Sequence, residues 1–120
     1  MPLKRIAGVF ILLACCLACE RQIKAPPPEL LGLWTTAAPT YQGRYLRFEL
    51  DHILFGIGGD ESTSQSIVKI YVRQEGQQTR YTFHTLDADG AHQLVILYDP
   101  SAGGSLQIRN QANVVWTKPD

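Results

Sequence analysis

Residues 68–84 of the chain read VKIYVRQEGQQTRYTFH, and this stretch decides the fold. Apolar and polar side chains alternate on both sides of Glu75-Gly76, which is the pattern of β-strands with one buried face. Because glycine tolerates a positive φ, Glu75-Gly76 predicts a two-residue turn between two antiparallel strands. The apolar face then pairs Val72 with Thr79, Ile70 with Tyr81, and Val68 with Phe83. The opposite face is expected in solvent and carries Lys69, Tyr71, Arg73, Arg80, Thr82 and His84.

The preceding segment repeats this alternation. Apolar residues recur at every second position before and after Asp51-His52. If those two residues form a tight turn, three apolar pairs lie on one face of a second hairpin. The predicted pairs are Leu50 with Ile53, Phe48 with Phe55, and Leu46 with Ile57.

Short strands separated by turns continue along the chain. Gly32–Thr36 predicts the first strand, residues 93–98 a strand that is apolar on both faces, and residues 114–116 the last. We count about eight strands at a spacing of about 11 residues, with no helical segment of convincing length. The pattern predicts an all-β fold in residues 30–118: a single small antiparallel up-and-down barrel or meander, with a sandwich as the alternative.

The N-terminus has the form of an export signal. Lys4 and Arg5 make a basic head, residues 6–18 are apolar or small, and Leu17-Ala18 precedes Cys19. The apolar run is too short to cross a hydrocarbon core, which needs roughly 20 residues as a helix. This arrangement resembles the lipobox of bacterial lipoproteins, and the resemblance implies cleavage before Cys19 and acyl chains on Cys19.

Two alternatives to lipidation at Cys19 stay open. Leu12-Leu13-Ala14 before Cys15 also matches the lipobox rule, and an ordinary cleaved signal with incidental cysteines is a further interpretation. Cleavage before Cys19 leaves no other cysteine in the mature chain, so neither a disulfide nor a thiolate metal site is expected there.

The chain is predicted to have three parts. Residues 1–18 form a lipoprotein signal peptide, residues 19–29 a Pro-rich tether containing Pro26-Pro27-Pro28, and residues 30–118 the β-barrel domain. Removing Lys4 and Arg5 leaves nine basic against eleven acidic side chains. This slightly acidic balance offers no footprint for nucleic acid and no polybasic patch for anionic lipid.

The first strand contains Gly32-Leu33-Trp34. A Gly-x-Trp at this place resembles the lipocalin and avidin-like (calycin-type) barrels. The resemblance implies that Trp34 plugs the closed end of the barrel and packs against a basic residue of a late strand, here Arg109 or Lys118. The segment Tyr41 to Leu46, with Phe55-Gly56 and Asn110-Gln111, is also similar to small bacterial lipoproteins of unassigned function.

A glycine-rich segment is the candidate mouth of the barrel. It comprises Gly56, Gly58, Gly59, Asp60 and Glu61 and runs on through a Ser/Thr-rich stretch to residue 66. Its two carboxylates would repel a phosphate, and their spacing matches no calcium loop. We expect a mobile loop beside an open mouth.

No residue set predicts a reaction. His84 and His92 share a face only if the turn at residues 87–90 contains a bulge, and a two-residue turn places them on opposite faces. Two histidines are too few for a zinc site. We find no nucleophile with a base and no Gly-x-Ser-x-Gly elbow, so we expect no catalytic residue, metal or cofactor.

The expected function is therefore binding. We predict a non-enzymatic, lipid-anchored β-domain of the cell envelope that takes a small apolar ligand or a peptide at its open mouth. The alternative is an envelope interaction protein without a small-molecule ligand, docking through a strand edge or the face bearing Tyr71, Arg73 and Arg80. Glu20 rather than Asp after Cys19 is typical of sorting to the outer membrane, facing the periplasm, in a Gram-negative envelope.

Overall fold

The computed structural model describes residues 19–111 and 113–119. Within these ranges the chain forms nine β-strands and two short 3-10 turns, Pro39–Tyr41 and Ser101–Gly103. The strands are β1 (Arg21–Ile23), β2 (Gly32–Thr36), β3 (Tyr45–Phe48), β4 (His52–Gly58), β5 (Glu61–Glu75), β6 (Gln78–Asp87), β7 (Gly90–Asp99), β8 (Ser105–Ile108) and β9 (Trp116–Thr117).

Eight of these strands close into an antiparallel barrel. The order β5-β4-β3-β2-β9-β8-β7-β6 returns to β5 through a second pairing, so the sheet has no open seam between its first and last members. Strand β1 is an additional strand paired with β5. The all-β prediction is confirmed, and the closed barrel, rather than a sandwich, is the architecture.

Closure depends on the length of β5, which has 15 residues. Its first half, residues 61–66, pairs with β4, and its second half, residues 66–75, pairs with β6 on the opposite edge. A β-bulge between Ile67 and Lys69 separates the halves and leaves Val68 61% exposed. A bulge bends a strand and increases its twist, which lets one strand serve both sides of the closure.

Both predicted hairpins form, but each is shifted by two residues. In the β5–β6 hairpin Val72 pairs with Tyr81 and Ile70 with Phe83, around a turn at Gly76-Gln77. Gly76 has a φ of +63°, which suits the first central position of a two-residue hairpin turn. The predicted turn at Glu75-Gly76 was therefore one residue too early.

The β3–β4 hairpin shows the same kind of shift. Phe48 pairs with Ile53 and Leu46 with Phe55, while Leu50 lies in the turn with 65% of its surface exposed. The Glu49 amide donates to the His52 carbonyl at 2.9 Å and closes that turn. An even shift keeps the paired side chains on their predicted faces, so the hydrophobic interior survives the error in register. Leu50 and Val68 are exceptions: both were predicted on the apolar face, and both are exposed, Leu50 in the turn and Val68 at the bulge.

The interior is one continuous apolar core. Fully buried side chains come from the long central strands and the flanking short ones, and the rings of Phe48 and Phe83 lie 5.3 Å apart. The core comprises Leu30, Trp34, Leu46, Phe48, Ile53, Ile70, Val72, Tyr81, Phe83, Ile96, Leu106 and Trp116.

The face of β5 and β6 that was expected in solvent is partly covered. Thr82 is buried, while Tyr71 and His84 are half-buried and meet edge to face at 5.4 Å. The Arg80 guanidinium forms an ion pair with Glu75.

The segment predicted as a Pro-rich tether is docked on the barrel. Arg21–Ile23 pairs with Val72, Tyr71 and Ile70 of β5, along the edge that β4 leaves unpaired. The Leu30 amide donates to the Pro27 carbonyl at 2.9 Å, so the prolines end in a turn rather than an extended spacer. Leu30 is fully buried. The folded domain therefore begins near residue 21 and not at residue 30, because residues 21–23 pair with the edge of β5 and Leu30 packs in the core.

Gly56 on β4 lies directly opposite Tyr45 on β3. A Cβ added at Gly56 would overlap the Cδ2 and Cε2 atoms of the Tyr45 ring. We expect Gly56→Ala to lower the free energy of unfolding by about 1–3 kcal/mol, because the ring must leave its cross-strand position. Urea unfolding followed by circular dichroism measures this loss.

Tyr45→Ala supplies the control for that experiment. In the Tyr45→Ala background the added methyl group has no ring to displace, so most of the cost of Gly56→Ala should disappear. An equal cost in both backgrounds would show that the Tyr45 ring is not the obstacle.

Candidate functional site

One end of the barrel interior is filled by Trp34. Its side chain is 1% exposed, and its Nε1 donates to the Leu30 carbonyl at 2.9 Å. Tyr98 meets the indole edge to face, with ring centroids 6.3 Å apart. Trp34 therefore has both its apolar surface and its polar atom satisfied, and this end is closed.

The basic partner of Trp34 is Lys118 rather than Arg109. The Lys118 ammonium nitrogen lies 5.5 Å from the centroid of the Trp34 ring, within the range of a cation–π contact. Strand β9 pairs with β2 through Thr35 and Thr117, which brings the next residue, Lys118, alongside Trp34. Arg109 is exposed after β8, where its amide donates to the Val95 carbonyl.

Two tyrosines and an acidic residue lie on this closed side. Burial, with a smaller contribution from the nearby Glu29 carboxylate, raises the pKa of Tyr81 to about 12. Burial and Glu29 also raise the pKa of Tyr98. Both phenols are therefore neutral at physiological pH and take part as packing groups.

The other side of the interior is open. A cavity of about 240 Å³ lies there and is walled mainly by apolar and aromatic side chains. Leu46, Phe55, Leu94 and Ile108 come from the inward faces of the barrel strands, and Ile57 lies at the rim with 45% of its surface exposed. The residues that complete the wall are Tyr41, Arg44, Tyr45, Gly56, Gln111 and Trp116.

The connection between β2 and β3 supplies one side of this cavity. The 3-10 turn Pro39–Tyr41 places the Tyr41 ring edge-on to Trp116, with centroids 6.2 Å apart. The Arg44 guanidinium carbon lies 5.4 Å from the centroid of the Tyr41 ring. Among the ion pairs of the described residues, none involves Arg44.

Two buried polar atoms of the cavity wall lack hydrogen bonds. Trp116 Nε1 and Gln111 Oε1 are both inaccessible to solvent, and neither has a partner within the part of the chain that the structure describes. Trp116 is 3% exposed. Leaving such an atom unsatisfied costs about 1–3 kcal/mol, so paired donors and acceptors are the rule in folded proteins. The two atoms belong to residues that line the apolar cavity, but neither atom is itself exposed to it.

The residues predicted as a mouth loop form a hairpin instead. Gly56 and Gly58 belong to β4, Glu61 begins β5, and the turn is reduced to Gly59-Asp60. Residues 62–66 continue β5, because their backbones pair with β4 although their side chains are polar throughout. Of the five predicted residues, Gly56 borders the cavity, and Gly58, Gly59, Asp60 and Glu61 do not.

The histidines do not come together. A two-residue turn follows Asp87, so His84 pairs with Gln93 while His92 pairs with Thr85, and the two rings lie on opposite faces. His92 Nε2 lies 2.8 Å from the Asp87 carboxylate, and this hydrogen bond lowers the Asp87 pKa. His52 Nδ1 lies 2.6 Å from Asp51. Across residues 19–111 and 113–119, no group of three His, Cys, Asp or Glu side chains converges as metal ligands do.

Most of the predicted export signal lies outside the described residues: Lys4, Arg5, Cys15, Leu17 and Ala18. Cys19 is exposed and borders a polar groove with Arg21, Glu29 and Tyr81, which shares no residue with the apolar cavity. No helix within the described ranges has the length and apolarity needed to cross a membrane.

Comparison with known proteins adds no relative. No protein-family model, no curated protein and no solved structure matches this chain. The evidence for the candidate site is therefore the geometry described above.

Several wall residues were not singled out by the sequence: Arg44, Gln111 and Trp116 had no assigned role. The sequence offered one signal, and only for Trp116: the chain has two tryptophans, and Trp116 lies in its last short strand. Nothing in the linear pattern placed that strand beside Tyr41.

The two tryptophans allow a matched comparison of stability. Trp34→Phe removes a hydrogen-bonded N–H and leaves the Leu30 carbonyl without that donor. Trp116→Phe removes an N–H that has no partner. Both changes remove similar ring volume, so we expect Trp34→Phe to be more destabilising by about 1–2 kcal/mol. Urea denaturation of the two ligand-free variants measures the difference. An equal or larger loss for Trp116→Phe would mean that its N–H is hydrogen-bonded in solution.

Proposed function

We propose that this protein is an exported, lipid-anchored β-barrel of the cell envelope that binds a small, largely apolar ligand and catalyses no reaction. The observation that carries the proposal is the open cavity beside Trp116, whose walls are mainly apolar and include the exposed Arg44. Ligand sites in proteins have this composition, with a few polar groups set into a mostly apolar surface.

The size of the cavity limits the ligand. A volume of about 240 Å³ holds about eight water-sized groups at about 30 Å³ each. An eight-stranded barrel has an interior just wide enough for its own side chains or for one small ligand. Since Trp34 closes the opposite side, ligand enters and leaves past Ile57 and Arg44.

Burial of hydrocarbon supplies the affinity. Each methylene group moved from water into the cavity contributes about 0.8 kcal/mol. The walls that would receive it are Leu46, Phe55, Leu94 and Ile108.

The anchoring part of the proposal is supported by the leader sequence and by the exposed Cys19 at the start of the described chain. In a Gram-negative envelope, Glu20 after Cys19 favours the periplasmic face of the outer membrane. We expect the N-terminal peptide of protein purified from its own membrane to begin at Cys19 and to carry the mass of acyl chains. Intact-mass spectrometry checks this, and an unprocessed leader would refute the anchor.

A second candidate function is docking of an envelope protein. Leu50, Val68 and Leu86 are 65%, 61% and 50% exposed on the outside of the barrel. They lie near one another because Ser66 pairs with both His52 and Leu86, and the Ile67 amide bonds the Asp51 carbonyl at 2.8 Å. Exposed apolar residues in one region are a mark of interaction surfaces.

A simple probe of cavity binding is 1-hexanol, whose seven heavy atoms fit the volume. We expect it to bind with a dissociation constant on the order of 1 mM. Leu94→Trp fills the cavity and should abolish binding, whereas Val115→Trp adds the same ring at an exposed position and should not. Chemical shifts in NMR titrations measure both. A folded Leu94→Trp variant that binds 1-hexanol as the parent does would refute the cavity as the site.

A further inference from the structure

The N-terminal attachment point and the cavity mouth lie at opposite ends of the barrel. We propose that the closed end rests on the bilayer and that the cavity opens away from it, toward the aqueous compartment. This inference rests on the proposed lipid anchor at Cys19. The juxtaposition that carries it is Cys19 beside the β5–β6 turn, at the end of the barrel that Trp34 closes.

The direction of the strands defines the two ends. Because the barrel is antiparallel, successive connections alternate between one end and the other. The β2–β3 connection holds Tyr41 and Arg44 and the β8–β9 connection holds Gln111, and all three line the cavity. The turns Gly59-Asp60 and Ala88-Asp89 lie at this same end, which we call the mouth end.

The closed end carries the remaining connections. The β5–β6 turn Gly76-Gln77 and the β7–β8 connection, residues 100–104, both lie there. Tyr98 leads into the second of these and packs edge to face on Trp34. The Trp34 plug and these two connections therefore belong to one end of the molecule.

Strand β1 places Cys19 at the closed end. Strand β5 runs from the mouth end to the closed end, and β1 is antiparallel to it. The chain therefore enters β1 at the closed end, where Arg21 lies opposite Val72. Cys19 borders a groove with Gln74 and Thr79, which pair with each other beside the β5–β6 turn.

The link between anchor and barrel is short. Only Glu20 separates Cys19 from Arg21, the first residue of β1. Extended backbone spans at most about 3.6 Å per residue, so the Cα atoms of Cys19 and Arg21 lie within about 7 Å of each other. Acyl chains on Cys19 therefore hold the closed end at the bilayer surface instead of suspending the barrel on a flexible tether.

The mouth is held away from the bilayer by the length of the strands. Strand β6 runs from the closed end to the mouth end over ten residues. At about 3.3 Å per residue and a tilt of about 35–45°, it covers about 20–25 Å along the barrel axis. Ligand therefore reaches the cavity from the aqueous compartment and not by lateral entry from the membrane that holds the anchor.

The surface of the closed end suits contact with lipid headgroups. Gln77 and Ser101 are exposed there. Among the described residues, none of the exposed large apolar side chains lies in Gly76-Gln77 or in residues 100–104. Insertion into the acyl region needs an apolar face, so these connections lie on the headgroups and do not enter the hydrocarbon.

The test places a fluorophore at either end of the full, lipidated chain. Cleavage before Cys19 leaves no other cysteine, so Gln77→Cys and Ala88→Cys each supply a single thiol for labelling. Both positions are exposed and lie in two-residue hairpin turns. In phosphatidylcholine vesicles with nitroxide-labelled headgroups, we expect the fluorophore at residue 77 to be quenched at least threefold more strongly than that at residue 88.

A spacer of about ten Gly/Ser residues between Glu20 and Arg21 is the matched control. It changes no residue of the barrel and adds a flexible reach of about 17 Å. We expect it to reduce the quenching at residue 77 at least twofold. If circular dichroism shows that the Ala88→Cys variant is unfolded, Asp60→Cys in the other mouth-end turn takes its place.

Intact mass of the same samples separates the outcomes. If the protein carries acyl chains and both ends are quenched equally, or residue 88 more strongly, the orientation is wrong although the anchor stands. If neither end of the acylated protein is quenched, β1 does not hold the barrel at the bilayer and the orientation is also wrong. If no acyl chains are present, the anchor itself is refuted and the orientation with it.

Discussion

The whole structure depends on a single strand being paired on both edges. An antiparallel sheet closes only when its last strand bonds its first, and here β5 meets that requirement by joining β4 along one half and β6 along the other. The bulge at Ile67 to Lys69 lets the strand change direction between the two halves. Closure leaves no open seam between the first and last strands of the barrel and creates an enclosed interior, so both the core and the cavity are consequences of it.

The interior that results is asymmetric. At one side Trp34 is packed against Tyr98, and its indole N–H donates to the Leu30 carbonyl. At the other side Trp116 lies between Leu106 of β8 and Thr36 of β2, on a strand of only two residues. Trp34 is buried at its end of the interior, and the cavity lies at the end that holds Trp116.

The alternation of residues predicted the fold class and most of the inward-facing side chains, but it could not predict the register of the strands or the bulge that leaves Val68 exposed. An alternating pattern is unchanged by a shift of two residues, so Val72 matches Thr79 or Tyr81 equally well until the turn is known. Residues 62–66 escaped detection as a strand because both of their faces are polar. Arg44, Gln111 and Trp116 line one cavity because β9 pairs with β2 and β8, a long-range arrangement that no local pattern contains. The same contact decides between Lys118 and Arg109.

The placement of the two indoles makes the protein its own optical reporter. The chain has no third tryptophan, so its fluorescence comes from one fluorophore locked in the dry plug and one that borders the cavity. The emission of Trp34 follows the integrity of the barrel, whereas that of Trp116 responds to whatever occupies the space beside it. A variant that keeps only Trp116 therefore reports occupancy of the cavity by its fluorescence, and a variant that keeps only Trp34 reports unfolding, without any added label.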